Sequence, residues 1–167
     1  DVERLIQSVT DIATILAGAE FGALFYSTYE GGREQVHYSL SGPAKDVLSR
    51  LPSIEQIPFF EAPFRAGRTI RIEDVEADAE YVEAFREAGI PVRSYLAVPV
   101  ISRSAEVLGA LVFGHAAVGA FGERHEELVL GIAAQSAIAL DNARLFEQVD
   151  RERTRVVDSN RALERTN

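Results

Sequence analysis

The stretch from Ser94 to Glu147 constrains the chain most, because two apolar runs, one polar break and one long helical pattern follow each other in it without interruption. Ser94 to Ser102 (SYLAVPVIS) is apolar and β-branched, Arg103 to Glu106 is polar, and Val107 to Gly114 (VLGALVFG) is apolar again. Two such runs with a short polar connection predict a β-hairpin. Pro99 lies inside the first run and brings no N–H to a ladder, so it predicts an edge, a bulge or a strand end there. From Gly122 the period lengthens to that of a helix. Leu128, Ile132, Ala133, Ala137, Leu140 and Ala143, together with Ala134, Ile138 and Leu145, cover a wider apolar surface than one core-facing stripe requires. A helix apolar on two sides needs two partners. One is its own sheet; the small residues of AAQSAIALDNA allow the other to be a second copy of itself.

The preceding residues supply the rest of an α+β order. Leu5, Ile6, Val9, Ile12, Ala13 and Leu16 fall at helical spacing, with Gly18 as a stop. Phe21 to Tyr29 is an apolar run, Glu30-Gly-Gly-Arg33 supplies turn residues, and Val36, Tyr38 and Leu40 alternate with Gln35, His37 and Ser39. That pattern predicts a second hairpin with His37 and Tyr38 on opposite faces. Ala44 to Leu51 reads as a short helix, and Ser53 to Arg65 as an irregular segment with room for one or two helical turns, broken by Pro52, Pro58 and Pro63. A short strand at Thr69 to Ile72, a polar connection to Asp78 and a helix over Tyr81 to Ala88 follow. Antiparallel hairpins with helices at both ends predict one central antiparallel sheet, the N- and C-terminal helices on one face and the shorter helices and loops over the other.

Charge and composition then remove whole classes of function. A chain of 167 residues, 47% hydrophobic, forms one domain with a core, and its net charge of −9 argues against a nucleic-acid surface or contact with an acidic membrane. No apolar run approaches the roughly 20 residues that span a bilayer, and no leader pattern opens the chain, which predicts a soluble, cytoplasmic piece. There is no cysteine, hence no disulfide, thiol nucleophile or thiolate ligand. The chain starts at Asp1 without methionine, which suggests part of a longer protein.

Local chemistry is sparse. His125 opens HEEL, which lacks the second histidine of a zinc helix, and no two histidines have close metal-site spacing, so no metal ligand is assigned. His37 reads as an exposed strand residue. His115 ends a strand beside Ala116 and Ala117, where it either looks into a pocket or bonds a loop backbone. Gly109, Gly114, Gly119 and Gly122 follow no phosphate-binding order, and no nucleophile and base occur together, so the domain is read as non-catalytic. Glu73, Asp74, Glu76 and Asp78 read as a solvated acidic loop.

The order SYLAVPV, turn, VLGALVFGH, a helix start at Phe121 to Glu127 and then IAAQSAIALDNARLFE resembles the C-terminal half of a GAF domain. RIEDVEADAEYVEAF followed by GIPVRSYLAVPV is similar to the middle of the same family, and the likeness covers roughly Leu5 to Val149. The wording is that of GAF domains in bacterial sensor histidine kinases and related signalling proteins. The resemblance implies a sensory and dimerising module over residues 1–149, with residues 150–167 starting a helix towards a covalently linked output domain and with an upstream sensor domain as a further partner. It also implies a ligand between the sheet and the middle segments, walled by Phe59, Phe60, Phe64, Tyr81 and Phe85 and by the strand residues Tyr38 and Tyr95, with His115 at its margin.

Those aromatics suit a small, mostly apolar ligand, and they suit a closed core equally. The ligand and cofactor therefore stay unknown. Bilin attachment and methionine-sulfoxide reduction in the family rely on cysteine, which is absent, and the residue set of the cyclic-nucleotide-binding members is absent too. Haem or a metal ion on His115 or His37, making the domain a redox or gas sensor, is the remaining cofactor alternative. Leu5, Val9, Ile138, Leu145, Val149 and Val156 are the candidates for dimer contact and transmission. Val149, Val156 and Leu163 recur seven apart, but DRERTR among them also fits a plain solvated helix face.

Overall fold

The computed structural model describes residues 2–49 and 67–166. Helix α1 (Val2–Ala17) leads into strands β1 (Phe21–Glu30) and β2 (Arg33–Ser41) and the short helix α2 (Lys45–Ser49). Strand β3 (Ile70–Ile72), a 3-10 turn (Val75–Ala77) and helix α3 (Val82–Ala88) follow. Strands β4 (Ser94–Ile101) and β5 (Val107–His115) then precede the 44-residue helix α4 (Glu123–Thr166). The strands make one antiparallel sheet in the order β2-β1-β5-β4-β3. This is the α+β layering expected.

Glycine sets the ends of these elements. Gly18 takes φ +65° after α1, while Ala19 N–H donates to Thr14 O and Gly18 N–H to Ile15 O, a paired closure that satisfies the last carbonyls. Gly89 does the same for α3, with Ile90 N–H on Phe85 O. Gly31 and Gly32 both have positive φ, which makes the two-residue loop that matches strand twist in the first hairpin.

Alternation splits the sheet residues between two cores. Leu24, Leu96, Val98, Leu111 and Phe113 face α1 and α4, which add Ile6, Ala13, Ala17, Val129, Ala133, Ala137 and Leu140. Phe21, Ala23, Phe25, Tyr95, Ala97, Ala110 and Val112 face the other way, with Leu48, Ile72, Val75, Phe85, Ile90 and Val92. Pro99 sits beyond the end of β3 pairing and one residue before a register shift at Val100/Ile101, where its missing N–H breaks no inner ladder. Because Val100 pairs with Gly109 and Ile101 with Val107, Leu108 is the extra residue of a bulge and turns onto the Leu111 face.

One expectation changes. The polar connection after β3 carries Val75 into the core as part of a 3-10 turn, held by Val75 N–H on Arg93 O. The expected short helix is present over Lys45–Ser49, while Arg50 and Leu51 and the segment Ser53 to Arg65 lie outside the described residues.

Candidate functional site

The face opposite α1 and α4 carries four of the aromatic residues that the sequence singled out, Tyr38, Tyr81, Phe85 and Tyr95. Tyr95, in the buried row of β4, meets Phe85 of α3 edge-on, with ring centroids 5.2 Å apart at 74°. Phe85 reaches it because α3 starts at a fixed point: the Asp78 carboxylate accepts from Glu80 N–H and Tyr81 N–H. Tyr81 packs half-buried against the same cluster. At the far edge, Tyr38 is half-exposed and its ring stands 6.1 Å from that of Phe25. Between these two aromatic ends the sheet is floored by the small residues Ala23, Ala97 and Ala110. Phe59, Phe60 and Phe64 lie outside the described residues.

Among the described residues, no carboxylate or cation is buried on this face. Burial, and next the nearby Tyr81, pushes the Tyr95 hydroxyl well above the usual phenol range. Burial, and next Glu80, raises Tyr81 as well. Both phenols therefore stay neutral at physiological pH, so this face offers apolar surface and uncharged hydroxyls. That is chemistry for holding a molecule, not for transferring a proton near neutrality.

His115 is not brought to this face. Its parity along β5 is that of Leu111 and Phe113, and its Nδ1 accepts from Ala117 N–H at 2.9 Å. Glu20 stands 3.2 Å from that nitrogen and accepts Ala116 N–H at 2.7 Å, so the pair shapes the loop after β5. His37 lies on the α1 side of β2, stacked on Tyr26 at 5.2 Å and bonded through Nε2 to Thr28 Oγ1 at 2.7 Å. Among the described residues, no group of three or more His, Asp or Glu could hold a metal ion.

The acidic connection does more than meet water. Asp74 accepts Arg93 Nε at 2.9 Å and Nη2 at 3.0 Å, a two-point pair, and also Glu76 N–H. The Arg93 guanidinium holds the Asp74 carboxyl below its usual range, while the Asp74 bond raises Arg93. Behind α3 an open groove of about 300 Å³ is lined by Val75, Phe85, Ile90 and Val92, with Arg86 and Arg93 at its rim. The sequence signal for the backbone caps alone was the Asp two residues before the residue whose N–H it accepts, as in Asp74-Val-Glu76 and Asp78-Ala-Glu80.

The transmission candidates divide. Val9 lies in the inter-helix crevice that Val2, Leu5, Ala139 and Leu140 also line. Ile138, Leu145 and Val156 are exposed on α4; Val149 is in that helix, its side chain outside the described residues. No helix among the described residues is long and apolar enough to cross a membrane.

Comparison with known proteins places this architecture. A family model described as GAF domain matches residues 1–141. The anaerobic nitric oxide reductase transcription regulator NorR of Salmonella arizonae is 29% identical over 153 residues, 89% of this chain and 29% of that protein. The chain thus spans less than a third of the length of the curated relatives it matches. Among solved structures, GAF3 of Slr1393 from Synechocystis sp. PCC6803 in its photoproduct state superposes with TM-score 0.66 at 19% identity, covering 89% of this chain and 99% of that one. A domain assigned to a two-component sensor histidine kinase of Sinorhizobium meliloti 1021 gives TM-score 0.61 at 16% identity, covering 89% and 97%.

Proposed function

Because this chain belongs to the GAF domain family, a family of signalling and sensory modules, we propose that it is the non-catalytic sensory domain of a bacterial, cytoplasmic signalling protein and acts as a homodimer. A small, mostly apolar molecule held against Tyr38, Tyr81, Phe85 and Tyr95 biases the packing of α1 and α4, and α4 carries that change to a linked output domain. The observation that carries this reading is α4 itself. Its first half buries Val129, Ala133, Ala137 and Leu140 in the domain core, and the same unbroken helix runs on through Val156 and Leu163, both exposed. Any shift at the sheet is therefore passed along one rigid element. A ligand drives such a shift only by binding the two packings with different affinity.

Residues 150–167 are then the start of the signalling helix. The kinase wording of the sequence and the likeness to a histidine kinase domain support a kinase as output; the likeness to NorR supports a transcription regulator as the other kind. A second reading has its own observation: Tyr95, Ala97, Ala110 and Val112 are all fully buried, which suits a closed core and a module that transmits without a ligand.

Native mass spectrometry of the protein purified from its source host, beside a denatured control, tests these readings together. A dimer carrying extra mass that denaturation releases is the expected result. A bare dimer transfers the case to the transmission module, and a bare monomer overturns both.

A further inference from the structure

The two edges of the sheet are finished differently. At one, β3 is three residues long, Ile70–Ile72; at the other, β2 is nine, Arg33–Ser41. Short strands, proline, lysine and bulges keep an edge from pairing with another chain. β2 has no proline and no lysine, and it pairs with β1 without a register shift from Glu30–Arg33 to Gly22–Ser41. The hairpin fixes which way its backbone groups point. Gly31 and Gly32 form the two-residue loop, so Glu30 and Arg33 close it as a doubly bonded pair. Alternation from Arg33 then turns the N–H and C=O of Gln35, His37 and Ser39 to β1, and those of Glu34, Val36, Tyr38 and Leu40 outward. Leu40 bears this out, because its carbonyl accepts Gln7 Nε2 of α1 at 2.9 Å. Ser39 Oγ donates to Gln7 Oε1 at 2.8 Å, so α1 closes the edge at that end. None of the described residues bonds the outward backbone groups of Glu34, Val36 and Tyr38. Val36 is 39% exposed and Tyr38 46%, and an open groove of about 400 Å³ runs beside them, lined also by Glu3, Gln7 and His37.

We propose that the edge from Glu34 to Tyr38 takes an extended, basic segment of another protein as an added strand, antiparallel to β2. The inference goes beyond the sensory reading and needs neither its small molecule nor its dimer. The outward N–H and C=O groups supply the bonds, and alternate side chains supply the choice of partner. Glu34, Val36 and Tyr38 share one face of the strand, so the partner residues opposite Tyr38 and Val36 are apolar and the one opposite Glu34 is Lys or Arg. His37 is on the other face, where Glu3 lines the groove with it, and the partner residue opposite His37 is again basic. Read from the partner's N-terminus, the pattern is apolar, basic, apolar, any residue, basic. The net charge of −9 adds a long-range pull on such a segment. A second copy at this edge would instead bring Glu3 and Glu34 of both chains to one seam.

The probe is the peptide acetyl-Ser-Val-Lys-Val-Thr-Lys-amide, with the same peptide carrying Glu for both Lys as its control, added in millimolar excess at low salt while amide hydrogen exchange is followed residue by residue. Exchange should slow about tenfold at Glu34, Val36 and Tyr38 and change little at Gln35 and His37, whose amides already bond β1. Val36→Pro removes an outward N–H and no bond to β1, and it should weaken peptide binding about tenfold. A probe N-methylated at its second valine removes the partner's half of the same contact and gives the same answer if Val36→Pro fails to fold. Glu34→Lys should weaken binding a few-fold at low salt and less at high salt. Tyr38 stays unchanged throughout because it also ends the aromatic face. No slowing with the peptide, slowing without the alternation, or equal binding of the Glu peptide each overturns the proposal. So does slowing that grows with protein concentration in the absence of peptide, which makes a second copy the occupant. Slow exchange at these amides at every dilution without peptide overturns it too, because the edge is then covered by its own chain.

Discussion

The two faces of the sheet are made by alternate residues of the same strands, yet they are closed in different ways. On one, α1 and the first half of α4 lay long helical stripes across Leu24, Leu96, Leu111 and Phe113. On the other, the described cover is a five-residue helix, a 3-10 turn and a seven-residue helix, the last two held by caps at Asp74, Asp78 and Gly89 and the turn also by the Asp74–Arg93 pair. A long helix forms as one unit, because every residue added extends a ladder already begun. Short pieces lack that support and come from the low-stability end of a fold, which is where ligand binding and conformational change are found. The contrast assigns stability to one face and adaptability to the other.

The largest effect should come from the helix face. Phe113→Ala removes a fully buried ring from between the sheet and the helices and should destabilise by about 3–5 kcal/mol in chemical denaturation. If the cost is under about 1 kcal/mol, that face collapses around the gap and is no rigid frame.

A smaller effect of the same origin is expected where α1 touches the sheet. A Cβ on Gly22 would overlap Thr14 Oγ1, whose hydroxyl already donates to Thr10 O at 2.7 Å. Gly22→Ala should therefore cost about 1–3 kcal/mol, as overpacking does. The sign reverses at Gly131, which is helical and exposed with open space around its missing Cβ. Gly131→Ala should stabilise by about 0.5–1 kcal/mol through the unfolded chain. Thermal melts of the two variants beside the parent compare contact and chain entropy with one substitution type.

This division also explains what the sequence made legible. Apolar residues at period two and at helical spacing fix faces, so the two hairpins, α1, α4 and the layering were readable from Val98, Leu111, Ala133 and their neighbours. Pro99 announced the unpaired stretch by its chemistry. The aromatic set was readable as residue types, and Tyr95, Phe85 and Tyr81 do come together. His115 was read with an open choice, and only the folded loop, where its Nδ1 accepts from Ala117 N–H, shows that its ring serves the segment after β5. Asp74 and Arg93 are 19 residues apart, and nothing local in either announces a two-point ion pair. Val75 is a single apolar residue among acids, which carries no period, so its insertion into the core was invisible. Long-range partners of lone polar or apolar residues depend on tertiary register, which periodicity does not encode.

The smallest effect is expected at the ion pair, where it tests the adaptable face. Asp74 has its carboxyl lowered first by the Arg93 bond, so the group holds fewer protons in the folded than in the unfolded chain as acid is added. Its contribution is fully present above the ordinary carboxylate range near about 3.9 and is lost as pH falls through the lowered folded value. Asp74→Asn should lower the melting temperature slightly at pH 7, and the gap to the parent should close on acidification. The pair is partly exposed, so high salt should narrow the gap further. A drop at pH 7 that exceeds that of Gly22→Ala would mean this one tie holds α3 and the 3-10 turn to Tyr95. The second face would then be as firmly closed as the first, and a bound molecule would have little to reorganise there. A small, acid-sensitive and salt-sensitive drop leaves that face free to respond.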